Sequence, residues 1–175
     1  MKKSKRIALC GMLSALSLVI MLVAYFPYLT YTLPALAGVL FAIVMVEIGT
    51  KWAWGSFVTT AILALLLCEK EAAVLFVAFF GYYPILKANL ERISIKIVEY
   101  IAKFFLFNVA VVAAYLVIIY VFSIPIENMG QFGQYTLLIL LGMGNVVFII
   151  YDFALSTAYQ EYMVKLHPKV KNILK

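Results

Sequence analysis

Asp152 is the residue with the most chemistry to explain. It is the only aspartate in the chain and the only charge in the 25 residues from Tyr135 to Tyr159. An ionisable group inside an apolar helix is costly to keep there. It marks an ion or proton site, a contact to a partner subunit, or half of an ion pair with a lysine such as Lys103 or Lys165, toward which the side chain can lean. Glu47, the other intramembrane ionisable candidate, closes a second apolar run. It stands four residues before Lys51, the spacing of an ion pair within one helix. Asn108 and Asn145 also interrupt apolar runs. Asn145 follows Gly142-Met143-Gly144, where missing side chains let a ligand or another backbone come close. Either asparagine could instead hydrogen-bond a neighbouring helix. Tyr25, Phe26, Tyr28, Tyr31, Phe132 and Tyr135 flank the apolar runs, where they could stack on a flat ligand or form an interfacial belt. Tyr28, Tyr31, Asn145 and Tyr135 are therefore the candidate substrate-binding set.

What is missing excludes most catalysis. The only histidine, His167, lies in a basic tail beside Pro168, so no apolar run carries a Ser-His dyad. One aspartate cannot make a two-aspartate protease, and no Cys/His spacing suits a metal. Without a Gly-rich phosphate loop the chain cannot power transport by itself. The expectation is a protein that is not an enzyme and needs no cofactor or metal.

The elements that position these residues are apolar helices. Of the 175 residues 66% are apolar, and mean hydropathy is +1.06. Soluble domains are nearer half apolar, so this is expected to be an all-α, polytopic membrane protein in one domain. Residues 7–26 are twenty without a charge. They rise about 30 Å, the thickness of a bilayer's hydrocarbon core. A signal peptide would have a shorter apolar region and a small-residue cleavage site, whereas here Tyr25-Phe26-Pro27-Tyr28 follows. Five further spans are expected at about 33–50, 52–68, 72–86, 103–123 and 135–159, completing a six-helix bundle. Residues 87–102 repeat Leu90, Ile93, Ile97 and Ile101 at helical spacing between charges. That pattern predicts an amphipathic helix on the membrane surface or leading into the next span.

Six spans put both termini on one side. Thirteen of the fourteen lysines and arginines then fall on that side, with Lys70 opposite. The positive-inside rule makes that side cytoplasmic. The net charge of +6 is thus a topology signal at helix ends rather than a nucleic-acid surface. Cys10 and Cys68 fall near opposite membrane faces, too far apart to bridge, and are expected to be small packing residues.

The first span also carries small residues, Ala8, Gly11, Ser14 and Ala15, and Gly11 and Ala15 form a small-xxx-small pair. With this stripe, the basic start, the length and the six spans, the chain resembles the substrate-binding S components of energy-coupling factor (ECF) transporters. The likeness covers most of the chain by layout. In that family an AxxxA-like motif on the first helix docks on a transmembrane T subunit. Gly11 and Ala15 would fill its positions, with Ala8 flanking. The resemblance implies a small-molecule substrate such as a vitamin, two separate ATPase subunits, and a pocket facing outward under the loops after the first and third spans. Here those loops are Pro27 to Thr32 and the three residues Glu69 to Glu71. The alternative is a small membrane scaffold without a ligand.

Overall fold

In a computed structural model covering residues 3–26, 29–91, 93–120 and 136–174, every described element is helical. α1 spans Lys3–Leu22 and ends in a 3-10 turn, Val23–Tyr25. α2 spans Thr32–Glu47 and α3 Thr50–Leu67. α4, Lys70–Leu75, runs through a π turn, Phe76–Phe80, into α5, Tyr83–Leu90. α6 spans Lys96–Tyr120 and α7 Thr136–Glu161. A second π turn, Tyr162–Leu166, joins α7 to α8, His167–Leu174. Among the described residues five stretches are long and apolar enough to cross a membrane: Lys3–Tyr25, Thr50–Leu67, Lys70–Leu90, Lys96–Val117 and Leu141–Val170. α2 is apolar but shorter, at 16 residues.

Local chemistry explains the helix ends. Glu69 caps α4 by accepting from the backbone N–H groups of Glu71 at 2.9 Å and Ala72 at 2.7 Å. Gly49 turns the chain between α2 and α3 at φ +117°, a conformation that glycine adopts at little cost. That turn removes the expected pairing of Glu47 with Lys51, because the two residues no longer share a helix.

Bonds between helix ends fix the order of the bundle. Tyr25 at the end of α1 donates to the Leu67 carbonyl at the end of α3, at 3.1 Å. Glu47 at the end of α2 meets the end of α7. α1, α3 and α6 therefore run one way, and α2, α4–α5 and α7 the other. The described cations other than Lys70 gather at the end where α1 begins, hereafter the basic end.

One core joins α1, α2, α3 and α4, built on Leu13, Met21, Phe41, Phe57 and Phe76. A second joins α4–α5 to α6 and α7 through Phe79, Tyr83, Phe107 and Phe148. Rings of Phe107 and Phe148 stack at 4.7 Å, and Phe79 and Tyr83 at 4.5 Å.

Of the two alternatives for residues 87–102, the part from Lys96 onward leads into the next span, and no separate surface helix forms among the described residues. Lys87 to Leu90 end α5, and the chain turns before α6 starts at Lys96. In the opening turns of α6 Glu99 and Lys103 point inward, while Lys96 stays exposed. Glu99 and Lys103 are 3% and 2% exposed, while Ile97 and Ile101 are 71% and 64% exposed. Lipid is the better solvent for that apolar face, and the charges neutralise one another inside the bundle. Tyr83 and Pro84 are buried inside the apolar stretch Lys70–Leu90. The π turn lets the chain restart there, with Pro84 in the first turn of α5, where its missing N–H has no helical partner to lose.

Candidate functional site

Asp152 sits at the centre of a cluster drawn from α5, α6 and α7. One carboxylate oxygen accepts from Tyr83 Oη at 2.5 Å and from Lys87 Nζ. The other pairs with Lys103 Nζ at 3.2 Å. Lys87 also meets Glu91 at 2.9 Å and the Asp152 carbonyl at 3.1 Å. Lys103 meets Glu99 at 2.9 Å, and Lys96 completes the chain on Glu99 at 2.9 Å. Three lysines face three carboxylates, so the cluster is formally neutral. Of the alternatives open for Asp152, the geometry shows the ion pair, with Lys103 and with Lys87. Lys165 instead pairs with Glu161 one turn away. The carboxylate oxygens of Asp152 are occupied by protein donors. The cluster clamps three helices, and each Asp152 carboxylate oxygen already has a lysine on it.

Glu47 forms a second polar centre. Its side chain is 3% exposed, and Oε1 accepts from Tyr162 Oη at 2.5 Å and contacts His167 Nδ1 at 2.8 Å. Residues five apart on an α-helix point about 140° apart, so they could not share one oxygen. The π turn Tyr162–Leu166 has a wider circuit and brings both onto one face. The sequence gives no sign of this partner, which lies 115 and 120 residues further on.

Asn108 and Asn145 pair their amides reciprocally, at 3.1 and 2.9 Å, and each also donates to a carbonyl of its own helix at 2.7 Å. Asn145 thus holds α6 to α7. Because the pair is one unit, Asn108→Leu and Asn145→Leu are each expected to cost about 1 kcal/mol, and the double variant less than their sum. Additive losses in a thermal-unfolding cycle would refute that coupling.

Of the other candidate substrate residues, Tyr28 and Tyr135 lie outside the described residues. Tyr31 is exposed before α2. Desolvation, then the Glu71 and Glu69 carboxylates, raise its phenol above the usual range, which places it beside the Glu69–Glu71 turn.

The stripe on α1 faces away from the bundle. α1 buries Cys10, Leu13, Ser17 and Met21, and Ser17 Oγ donates to the Ala37 carbonyl at 3.2 Å. Ala8, Gly11 and Ala15 are exposed on the opposite side, among Met12, Leu16 and Val19. A Cβ built on Gly11 meets nothing within 4 Å. Internal packing against α2 therefore does not account for the stripe. Cys10 and Cys68 are both buried and free.

Two cavities open near the basic end. One, of about 730 Å³, has a polar lining that includes Thr50, Asn89, Ser156, Gln160 and His167. The other, of about 500 Å³, lies between α2 and the end of α7 and is mostly aliphatic. Among the described residues no group of three or more His, Cys, Asp or Glu is arranged to hold a metal ion. Comparison with family models, curated proteins and solved structures finds no match to this chain.

Proposed function

We propose that this chain is the substrate-capturing membrane subunit of an ECF-type uptake transporter. In this reading it spans the cell membrane six times, with α2 as the short sixth span and both termini in the cytoplasm. It binds a vitamin or similar small molecule at the end away from the basic one, near Tyr28, Tyr31 and Tyr135. A T subunit and two ATPase subunits supply the energy. The observation that carries the reading is the outward face of α1. Lipid places no demand for small residues on a helix, whereas a partner helix whose backbone comes close does. Ala8, Gly11 and Ala15 form such a face and are exposed among the described residues, with nothing within 4 Å of a Cβ at Gly11.

One observation favours the alternative of a ligand-free scaffold. Asn145, the deepest candidate ligand contact, already has its amide bonded to Asn108 and Leu141. Thermal stabilisation by candidate vitamins separates the two readings, since a binder gains about 2.7 kcal/mol at a hundredfold excess over Kd.

The docking face is tested by a Gly11→Leu, Ala15→Leu double variant. The isolated protein is expected to keep its melting temperature, because the added side chains enter open space. Co-purification of the transmembrane and ATPase subunits is expected to be lost. A variant that still assembles with them rejects the docking face. A large fall in melting temperature shows that the face packs internally after all.

A further inference from the structure

α2 and α7 are pinned together at two polar points and stand apart between them. Toward one end Tyr151 Oη donates to the Ala35 carbonyl at 3.5 Å. At the basic end Glu47 holds Tyr162 and His167. The space between is the 500 Å³ groove. Its walls change character along its length. Val39, Ala42, Ile43 and Val46 of α2 face Leu155 and Ala158 of α7, and beyond them lie Glu161, Lys165 and Lys169. Lys165 is shared with Glu161, whereas Lys169 forms no ion pair among the described residues.

We infer that this groove holds an acyl chain of an anionic phospholipid, with the headgroup phosphate on Lys165 and Lys169. The dimensions fit. Ten residues separate Leu155 from Lys165, a rise of about 15 Å, which is the hydrocarbon depth of one leaflet. An aliphatic wall with cations at one end complements a molecule built the same way. Basic sites between helices at a cytoplasmic face attract acidic lipid headgroups, whereas a soluble anion would use only the lysines and leave the aliphatic wall unfilled. The Glu47 centre closes one edge of the groove, because Tyr162 and His167 join the end of α7 to α2 there. The site is independent of the transport reading and needs only that the chain lie in a bilayer.

The experiment uses the full chain in phosphatidylcholine nanodiscs with and without phosphatidylglycerol, read by melting temperature and by native mass spectrometry of retained lipid. Phosphatidylglycerol is expected to raise the melting temperature and to remain bound at one per chain. Lys165→Gln with Lys169→Gln is expected to weaken retention about thirtyfold. Ala158→Phe, which keeps the charges and fills the groove, is expected to abolish it. If Ala158→Phe does not fold, Ala42→Leu gives the same reading from the other wall. Equal retention in the charge and groove variants overturns the proposal. So does an equal rise in melting temperature with sn-glycerol 3-phosphate, which has the headgroup phosphate and no acyl chain.

Discussion

Asp152→Ala is expected to lower stability by about 3–5 kcal/mol, the usual loss when one partner of a buried ion pair is removed. The carboxylate accepts from Tyr83, Lys87 and Lys103, which come from α5 and α6. Its removal takes the cluster from neutral to one excess positive charge, beside two lysines whose side chains are 7% and 3% exposed. Glu91 and Glu99 still hold those lysines, but both belong to the α5–α6 side. The electrostatic link to α7 is therefore what disappears. Asp152→Asn is expected to recover only part of the loss, since the amide offers Lys103 a donor where it needs an acceptor. Asp152→Leu combined with Lys103→Met restores neutrality with apolar groups of similar size and is expected to be more stable than Asp152→Ala. Thermal unfolding in detergent checks all three. A melting temperature for Asp152→Ala within a degree of wild type, or a double variant no better than the single, would show that the cluster does not hold the bundle together.

How much of this was legible in the sequence depends on how far apart the partners lie. Residues 7–26 announce α1 because twenty uncharged residues have few other fates, and the structure places a helix over Lys3–Leu22. The pairing of Asp152 with Lys103 was one of three readings open from composition alone. The inward turn of Glu99 and Lys103 was hidden because an amphipathic repeat has the same period whichever face is buried. Only the surrounding solvent decides the direction, and lipid reverses what water would select. The partners of Glu47 were hidden twice over. They lie more than a hundred residues away, and they meet on one face only through a π turn that no 3.6-residue pattern predicts. Gly49 reads in the sequence as one more small residue of a membrane helix, yet α2 ends at Glu47 and Gly49 turns the chain at positive φ. The small stripe on α1 could be seen in the sequence, but which way it faced could not.

The same ambiguity surrounds Gly38, and it leads to the second large effect. Gly38 reads as one more small residue of the second span, yet it lies directly against the backbone of the π turn Phe76–Phe80. A Cβ built there falls 2.0 Å from the Phe80 carbonyl oxygen and 2.9 Å from its carbon. Both atoms are backbone, so no rotamer change relieves the clash. The π turn is itself closed by Gly81 N–H on the Phe76 carbonyl at 2.8 Å, which limits how far Phe80 can retreat. Gly38→Ala must then push α2 outward, opening the core around Ala37, Phe41 and Phe76. Overpacking costs roughly 1–3 kcal/mol when side chains can adjust, and a backbone obstacle puts this case at or above the upper end. Gly55→Ala in α3 supplies the contrast. Its Cβ meets nothing within 4 Å, so the better helix propensity of alanine is expected to raise stability by about 0.5–1 kcal/mol. One methyl group thus carries opposite signs at two helix-interior glycines. Equal melting temperatures for Gly38→Ala and wild type would mean that α2 does not approach the π turn this closely.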